Sequence, residues 1–389
     1  MPSARAHRSP EVAVIGAGIV GAACALFLAR SGARVELFEQ AFPGAGSSGA
    51  GEGNILAWDK ELERELPLAL RSAALWPELA AELAPDIEYD RKGSIVVTET
   101  EAELQAAVER AAVLAPLGVP SAPLSGAELR AEEPLSAPDL PGGVFYPDDA
   151  QVEPRLATAA LVRRAVADGA RLRAAVAVRA IERDGAGRAV ALATSAGRVP
   201  VGAVVVAAGA WTAGVLERCG LPVPIEPRKG QILVLERSAA PVRRKLNEAG
   251  YLSAVESAQE RLLVAMVVES TRSGTTLIGS SRELVGFDRT VDVAVAAAMA
   301  RRALRFFPRL SELAVIRTYA GLRPFTPDHL PLIGPLPGAE NVCVASGHEG
   351  AGIGLAPATG ELVAAWHAGR RPPELAGFAP GRFAEVARA

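Results

Sequence analysis

The residues Glu11–Gln40 constrain the fold of this chain more than any other stretch. They begin with a short apolar run, Val12–Ile15, followed at once by three glycines spaced as GxGxxG and by an apolar segment that ends near Ser31. This order predicts a buried parallel strand, a tight turn and a helix. A second buried strand is predicted at Val35–Phe38, directly before Glu39.

Each glycine of the motif has a separate physical role. Gly16 permits the tight turn, Gly18 lets backbone N–H groups approach a pyrophosphate, and Gly21 lets the helix pack closely on the strand. The positive end of the helix dipole faces the phosphates, and Glu39 accepts hydrogen bonds from a ribose 2′-hydroxyl. Gly32 ends the helix in the left-handed conformation. The stretch therefore predicts a bound dinucleotide, and Glu39 disfavours NADP because it repels a 2′-phosphate.

The same residues also resemble a targeting or membrane segment, since Val12–Ala29 is an uncharged run of 18 residues. Glu11 at its start, the three glycines, and Arg30 and Glu36 behind it argue against both alternatives. We therefore expect no transmembrane segment here.

Composition narrows the remaining classes. The 389 residues allow two domains with sizeable cores, half of the residues are apolar, and the formal net charge is −3. Nothing in this balance indicates a nucleic-acid partner or a membrane surface. The three cysteines are far apart and no CxxC occurs, so no zinc or iron–sulfur ligand set is predicted. An odd, low cysteine count is typical of a reducing cytoplasm, which is the predicted location.

A loop rich in glycine and serine at residues 42–54 indicates backbone and hydroxyl donors around an anionic or flat group, with a flexible surface loop as the alternative. Hydrophobic periodicity and breakers predict helices at residues 59–83, 101–114, 156–168, 291–307 and 353–368. Further strands are predicted at residues 93–98, 171–183, 189–194, 203–207, 228–235, 251–252, 275–279 and 341–345. Residues 145–149 are predicted to form a turn.

Two interleaved domains are expected from this order of elements. Residues 1–85, 150–225 and 320–389 are predicted to form an α/β, Rossmann-like nucleotide-binding domain. Residues 86–149 and 226–319 are predicted to form an α+β domain with a mostly antiparallel sheet, because their strands alternate apolar and polar residues.

Motifs distributed along nearly the whole chain carry a family resemblance. They are GAGIVG at 16–21, the loop ending in Gly53-Asn54, Val-Glu-Pro at 152–154, VVVAAGAW at 204–211, KGQ at 229–231, GLRPFTPD at 321–328 and SGHEGAGIGLAPATGEL at 346–362. With these motifs the chain resembles the D-amino-acid oxidase, glycine oxidase and sarcosine oxidase family of FAD-dependent amine oxidoreductases. GSSRELVGFD at 279–288 and GHEGAGI at 347–353 resemble the branch that holds D-hydroxyproline dehydrogenase, the cyanide-forming glycine dehydrogenase subunit and opine oxidase.

The resemblance implies a glutathione-reductase-like FAD-binding domain and a set of cofactor contacts. The implied contacts with FAD come from Gly16, Gly18, Ile19, Val20, Gly21, Glu39, Gln40, Ser47, Ser48, Gly51, Gly53, Asn54, Val178, Ala208, Gly209, Trp211, Gly347, His348, Gly350, Gly352 and Ile353. Covalent members of the family hold FAD through a cysteine just before the TPD-like segment. Residues 318–325 contain no cysteine, so non-covalent FAD is expected.

The resemblance also implies a substrate pocket. Arg323 matches the family arginine that binds the substrate carboxylate, and a guanidinium suits that task because it grips a carboxylate with two parallel charged bonds. Tyr251 matches a pocket tyrosine. His348 is a catalytic candidate, although a flavin contact or a packing role suits it better than that of a base, since the reaction needs only a neutral amine. Glu52 and Glu349 are further pocket candidates.

Simpler interpretations of these residues stay open. Arg323 could be a surface arginine, Tyr251 a plain strand tyrosine, and the two acids solvent-exposed. Glycine oxidase has an arginine where this chain has Gly350, so carboxylate binding would rest mainly on Arg323. The strand at 276–282 lacks the lysine that some oxidases use to react with oxygen, so oxidase and dehydrogenase both remain open.

The predicted function is FAD-dependent oxidation of the C–N bond of a small amino or imino acid to an imine. D-amino acids, D-hydroxyproline or D-proline, glycine and N-methyl glycine are the candidate substrates. Two alternatives remain: an electron-relaying FAD subunit of a hetero-oligomer, with partner subunits that include a separate iron–sulfur chain, and an FAD monooxygenase. The monooxygenase alternative is disfavoured because the late Gly-Asp motif of that class is missing.

Overall fold

The structure, a computed structural model, describes residues 9–83, 87–251 and 262–383. Among these residues the strands are β1 (Val12–Ile15), β2 (Val35–Phe38), β3 (Asn54–Ile55), β4 (Ser94–Thr98), β5 (Ala122–Ser125), β6 (Gly142–Tyr146), β7 (Ala150–Gln151), β8 (Arg171–Arg173), β9 (Val178–Arg183), β10 (Ala189–Thr194), β11 (Gly197–Pro200), β12 (Ala203–Val206), β13 (Glu226–Arg237), β14 (Lys245–Glu248), β15 (Leu262–Ser270), β16 (Thr275–Glu283), β17 (Val315–Phe325), β18 (Leu332–Leu336) and β19 (Ala339–Ser346). The helices are α1 (Ile19–Arg30), α2 (Glu65–Leu83), α3 (Glu101–Leu114), α4 (Gly126–Glu132), α5 (Pro154–Ala167), α6 (Thr212–Glu217), α7 (Val293–Phe306), α8 (Gly352–His367) and α9 (Glu374–Phe378). No helix in these ranges is both long and apolar enough to cross a membrane.

A mostly parallel sheet contains the glycine motif at the end of its first strand. Its strand order is β18-β19-β12-β1-β2-β8, in which β18 alone pairs antiparallel, with β19. All four residues of β1 and of β12 are buried, as expected for strands covered on both faces. A separate antiparallel sheet of β11, β10 and β9 follows in the same part of the chain. The predicted Rossmann-like α/β architecture is confirmed.

The helix after the glycine motif, α1, packs on α8 at very short range. Gly360 of α8 makes this possible, because a Cβ there would lie 2.7 Å from Phe27 Cδ2 and 2.9 Å from the Ala23 carbonyl oxygen. Both helices are buried along most of their length, so this contact belongs to the core and not to a solvated surface.

A second sheet of eight strands has the order β17-β13-β16-β15-β14-β4-β6-β5. β13 with β16, β16 with β15, β15 with β14, β4 with β6 and β6 with β5 pair antiparallel, whereas β14 pairs parallel with β4. Helix α7 packs on β15 and β16, where Met299, Ala303 and Phe306 join an apolar cluster with Met266 and Ile278. The expectation of a mostly antiparallel sheet is confirmed.

The described residues divide into two compact units. The first lies within Met1–Ser48, Thr158–Glu226 and Pro324–Ala389, and the second within Gly49–Ala157 and Pro227–Arg323. Residues 49–83, 150–157 and 320–323, predicted above to join the nucleotide-binding domain, lie in the second unit. Pairing of β3 with β7 accounts for part of this difference, since it joins the start of the first of these ranges to the second.

Several predicted elements differ from the structure. The helix predicted at 59–83 begins only at Glu65, because the carboxylate of Glu61 accepts the N–H groups of Glu63, Arg64 and Glu65 and holds the preceding residues in turns. The turn predicted at 145–149 was placed too early, since Tyr146 still pairs with Ser94 in the sheet.

Two further strand predictions also need correction. The single strand predicted at 171–183 is two strands, β8 and β9, that belong to different sheets, with Ala175 between them at a φ of 57°. The strand predicted at 251–252 is wrong for Tyr251, which follows the end of β14, and Leu252 lies outside the described residues.

We predict that Gly360→Ala destabilises the protein by about 1–3 kcal/mol, because the added methyl group has to separate α1 from α8. Gly214→Ala in α6 is the matched control, since a Cβ there meets only Arg218 Nη2 at 3.9 Å. The control should leave stability unchanged or raise it by up to about 1 kcal/mol, because alanine favours a helix. Chemical denaturation measures both, and equal free energies of unfolding for the two variants would contradict the packing argument.

Candidate active site

The glycine turn after β1 leaves no room for side chains. Gly16 has a φ of 101°, and a Cβ on it would lie 2.5 Å from the carbonyl oxygen of Ala207 at the end of β12. A Cβ on Gly21 would lie 1.9 Å from the Gly16 carbonyl oxygen. These contacts confirm the predicted tight turn and close helix–strand packing. They also keep the backbone N–H groups of the first turn of α1 close to the strand ends.

Ser48 reaches the same helix terminus from the serine and glycine loop. Its hydroxyl accepts the backbone N–H of Ile19 at 2.9 Å, while Gly18 at the N-cap position has no side chain to do so. A Cβ on Gly18 would lie 3.1 Å from Ser48 Oγ. Because a hydroxyl both accepts and donates, Ser48 can cap the helix and still donate to an anion at its N-terminus.

Glu39 lies at the end of β2, where the ribose-binding acid is predicted. One carboxylate oxygen accepts the N–H of Ala17 at 2.9 Å, and the other accepts the N–H of Ala41 at 2.9 Å. A carboxylate has about four acceptor positions, so two remain for hydroxyl donors. Val176 donates its N–H to the Glu39 carbonyl at 2.9 Å, which brings Val178, two residues later, to the same edge of the first unit. Gln40 is exposed beside them.

The other predicted cofactor residues of the first unit converge on the turn after β12. A Cβ on Gly209 would lie 3.5 Å from Ser47 Oγ, and one on Gly46 would lie 3.2 Å from the Trp211 ring. The Ser346 hydroxyl donates to the Gly209 carbonyl at 3.1 Å and so joins this turn to the glycine loop that follows β19. Ala208 precedes Gly209 and Gly347 follows Ser346, so both lie next to this hydrogen bond.

His348 is buried in the first unit and points into the fold. Its Nε2 lies 3.0 Å from Thr359 Oγ1, and that hydroxyl donates to the Leu355 carbonyl at 2.9 Å. Because the Thr359 hydroxyl gives its proton to Leu355, it can only accept from His348. Nε2 of His348 therefore carries the imidazole proton. Burial lowers the pKa of His348 to about 3. A neutral side chain bonded to α8 suits the packing role and argues against a role as a base near pH 7.

The rest of the final glycine loop lies close to the first helix. A Cβ on Gly352 would lie 3.5 Å from His348 Cβ and 3.9 Å from Val20 Cγ2, and Ile353 follows in the first turn of α8. Gly350 is exposed. The loop therefore lies beside the turn after β1, and both carry predicted FAD contacts.

Glu349 is not solvent-exposed, as one alternative had it. Its side chain is 6% exposed and its carboxylate lies 3.1 Å from Nδ1 of His329. Its backbone N–H donates to the Pro324 carbonyl at 3.0 Å. The sequence analysis attached no role to His329, which joins the glycine loop to the turn after β17.

Arg323 lies flat on the eight-stranded sheet of the second unit. A Cβ on Gly230 of the neighbouring strand β13 would lie 2.0 Å from Arg323 Nη1, so the guanidinium occupies the space above that glycine. Nη1 also donates to the Ser281 carbonyl at 2.8 Å. Gly321, two residues before Arg323, likewise has no Cβ and leaves space that Ala50 occupies. Arg323 thus extends across β13 and is held by the Ser281 carbonyl of β16, unlike a loosely placed surface arginine.

The residues of the KGQ motif make contacts on both faces of β13. Lys229 Nζ lies 3.1 Å from Glu283, and Gln231 donates to the same carboxylate at 2.9 Å. These two side chains fasten β13 to β16, while Gly230 between them leaves room for Arg323 on the other face.

Glu52 lies over the same sheet and is buried, with 7% of its side chain exposed. A Cβ on Gly279 would lie 2.1 Å from Glu52 Oε1, so the carboxylate lies directly over that glycine. Its Oε2 accepts from Asn54 Nδ2 at 3.1 Å and lies 3.6 Å from Lys245 Nζ. Its Oε1 is buried without a hydrogen-bond partner.

A buried ion pair that the sequence analysis missed adjoins Glu52. Lys245 of β14 and Glu269 of β15 are 2.6 Å apart and almost fully buried. Burial raises the pKa of the nearby Tyr319 phenol to about 12, and the charges of Glu52 and Glu269 add to that rise. Two charged residues inside buried strands were the signal that could have revealed this cluster.

The remaining predicted residues of the second unit have mainly structural contacts. Tyr251 is buried against Trp58, with ring centroids 6.1 Å apart, and the guanidinium of Arg282 lies 4.8 Å above its ring. A Cβ on Gly53 would lie 1.6 Å from the Val152 carbonyl oxygen, so packing alone requires that glycine. Asn54 pairs with β7, and Gly51 lies one residue before Glu52. Contacts of Gly51, Gly53 and Asn54 with FAD stay predictions.

No group of three or more His, Cys, Asp or Glu side chains in the described ranges is placed to hold a metal ion. All three cysteines are free and buried, at Cys24, Cys219 and Cys343. None lies in β17, where the covalent attachment of the family would require one.

Comparisons with known proteins agree with this arrangement. Residues 11–366 match the family described as FAD dependent oxidoreductase. The chain is 32% identical to glycine oxidase of Geobacillus kaustophilus over 91% of this chain and 92% of that protein. It is 30% identical to hydrogen cyanide synthase subunit HcnC of Pseudomonas aeruginosa over 97% of both chains.

Solved structures show the same fold. The crystal structure of glycine oxidase from Geobacillus kaustophilus matches with a TM-score of 0.87 and 31% identity, over 96% of this chain and 98% of that one. Iminodiacetate oxidase from Chelativorans sp. BNC1 matches with a TM-score of 0.82 and 28% identity, over 95% and 98% of the two chains.

The first unit has the donors and acceptors that FAD requires. The turn at Gly16–Gly21 brings backbone close to the start of α1, the place predicted for a pyrophosphate, and Ser48 adds a hydroxyl there. The carboxylate of Glu39 keeps acceptor positions for ribose hydroxyls.

We predict that Glu39→Ala weakens FAD binding about ten- to a hundred-fold, because hydrogen bonds to a charged acceptor contribute roughly 1.5–3 kcal/mol. Glu36→Ala is the matched control, since that acid of β2 only pairs with Arg171 and Arg173. FAD dissociation constants measured by flavin fluorescence check both variants. Unchanged affinity in Glu39→Ala would contradict the ribose assignment.

We predict that His348 makes the protein less stable as the pH falls below about 6.5. Its pKa is lower in the folded state than in the unfolded state, so the unfolded chain takes up the proton first. Between pH 6.5 and pH 5 this costs about 2 kcal/mol. Urea unfolding at pH 7 and pH 5 should therefore show a smaller loss of stability for His348→Gln than for the wild type.

The raised pKa values of Asp149 and Glu133 act in the opposite direction in both proteins, so the difference between them isolates His348. An equal loss of stability in wild type and variant would show that His348 is charged or exposed in the folded state.

Proposed function

From the premise that this chain belongs to the FAD-dependent oxidoreductase family, we propose that it oxidises the C–N bond of a small amino or imino acid. The protein is an FAD-dependent enzyme that acts on amino acids or related amines. The observation that carries the finer proposal is the guanidinium of Arg323, held flat over Gly230 by the Ser281 carbonyl.

FAD bound to the first unit supplies the acceptor for a hydride from the carbon next to the substrate nitrogen. The residues proposed to hold it are the Gly16–Gly21 turn, Ser48, Glu39 and the loop at Gly347–Ile353. Close backbone packing fixes this turn before any ligand binds, so little ordering is required on binding.

Arg323 is proposed to bind the substrate carboxylate and so to orient the carbon that loses hydride. A guanidinium stays charged at any working pH, and its planar fork holds a carboxylate in one orientation. The bond of Nη1 to the Ser281 carbonyl fixes the rotation of this fork.

The substrate classes proposed are D-amino acids, D-proline or D-hydroxyproline, glycine and N-methyl glycine. The names of two relatives, glycine oxidase and iminodiacetate oxidase, support an amine with a carboxylate nearby. A cytoplasmic location is proposed on the ground that the three cysteines are unpaired. A second candidate, an electron-relaying subunit, is favoured by the likeness to a protein named as a subunit.

Anaerobic addition of each candidate amino acid to the purified yellow protein tests the proposal. Bleaching of the flavin absorbance identifies a substrate, and subsequent mixing with oxygen or with a dye separates oxidase from dehydrogenase. A protein that carries FAD yet is bleached by no amine in the panel would favour the relay role.

We predict that Arg323→Ala lowers kcat/KM about thirty-fold to several thousand-fold while FAD stays bound, because the loss of a buried charge pair costs roughly 2–5 kcal/mol. Arg317→Ala, an exposed position on the same strand, is the control and should change kcat/KM less than three-fold. Steady-state kinetics and the flavin content of both variants provide the measurement. Near-normal turnover in Arg323→Ala would remove the carboxylate assignment.

A further inference from the structure

Three glycines on three neighbouring strands form a floor on one face of the eight-stranded sheet. Gly321 lies on β17, Gly230 on β13 and Gly279 on β16, and these strands are adjacent in that order. Above them lie Ala50, the Arg323 guanidinium and the Glu52 carboxylate, each within 3 Å of the place where a Cβ would be. The glycines thus allow a cationic and an anionic group to lie side by side on the sheet.

The spacing of the two glycines beneath the charges matches the length of a hydrogen-bonded amino acid. Ile232 lies two residues after Gly230 on β13, and its Cδ1 is 3.5 Å from the Cβ position above Gly279, so Gly230 and Gly279 are diagonal neighbours. Such positions are about 7–8 Å apart. An amino acid whose carboxylate and nitrogen each make one hydrogen bond of about 2.9 Å spans about 8 Å, since its nitrogen and carboxyl carbon are about 2.5 Å apart.

One carboxylate oxygen of Glu52 receives no hydrogen bond from the described residues, so it can accept one from a ligand. Its Oε2 is occupied by Asn54 and Lys245, whereas its Oε1 is buried and has no partner. A buried acceptor left unpaired costs roughly 1–3 kcal/mol, more when it is charged. Lys245 lies near two carboxylates, Glu52 and Glu269, and so is shared between them. A positively polarised N–H donor satisfies the unpaired oxygen of Glu52.

We propose that Glu52 is a specificity-determining residue that accepts a hydrogen bond from the substrate nitrogen through Oε1, while Arg323 holds the carboxylate. Lys245 and Asn54 hold the other oxygen and so fix the direction of the first. The protein then selects ligands that carry an amine beside a carboxylate and rejects carboxylates of the same shape without nitrogen. This inference rests on the proposed function and assigns its second binding contact.

The test compares an amino acid with the carboxylate that lacks its amine, in wild type and in Glu52→Gln. The pairs are glycine with acetate and proline, as either enantiomer, with cyclopentanecarboxylate. Anaerobic rapid mixing gives the dissociation constant of the amino acid from the rate of flavin reduction, and perturbation of the flavin spectrum gives that of the carboxylate. Glu269→Gln is the matched control, because it removes the other carboxylate that pairs with Lys245.

In Glu52→Gln we expect the dissociation constant of the amino acid to rise at least ten-fold and that of the carboxylate to change less than two-fold. In Glu269→Gln the ratio of the two constants should stay within three-fold of wild type. An unchanged ratio in Glu52→Gln, an equal change in both variants, or an effect on FAD affinity in place of ligand affinity would overturn the inference.

Failure of the proposed function has a different signature. If the wild-type protein binds acetate but no amino acid reduces its flavin, both proposals are overturned. Only the binding of an anion by Arg323 then remains. Wild-type protein that is reduced by an amino acid while Glu52→Gln keeps the wild-type ratio overturns this inference alone.

Discussion

The structure depends on glycines, because the absence of a Cβ lets neighbouring side chains and carbonyl oxygens lie directly against the backbone. In the first unit Gly16 and Gly21 bring the start of α1 against the end of β12, where any side chain would overlap a carbonyl oxygen. In the second unit Gly230 and Gly279 let charged side chains lie flat on a sheet. We propose that the first use presents backbone N–H groups to FAD and that the second presents side-chain charges to the substrate.

Partners for the charged side chains explain how the sheet of the second unit can bury them and remain stable. Arg323 donates across β13 to the Ser281 carbonyl of β16, and Lys245 is bonded to Glu269, so these buried charged groups have partners. Oε1 of Glu52 is one of the buried polar atoms without a hydrogen-bond partner among the described residues. Buried polar groups without partners are rare in folded proteins, and functional sites are a common place for them.

Local sequence signals predicted much of the first unit because its key contacts are close in sequence. The strand–turn–helix at Val12–Arg30, the αL glycine after it and the acid at Glu39 follow from short patterns. Contacts between distant residues were not predictable in this way. The Glu52–Lys245–Glu269 cluster depends on the register of strands far apart in the sequence, and the late start of α2 depends on hydrogen bonds made by the single carboxylate of Glu61. Arg323 and Gly230 were recognised through motifs, but their contact required coordinates.

A crystal structure of the FAD-loaded protein with a bound amino acid or simple carboxylate tests the central claim most directly. The account predicts both carboxylate oxygens within about 2.7–3.0 Å of the Arg323 guanidinium, above Gly230. A carboxylate bound elsewhere, with Arg323 turned to solvent, would contradict it.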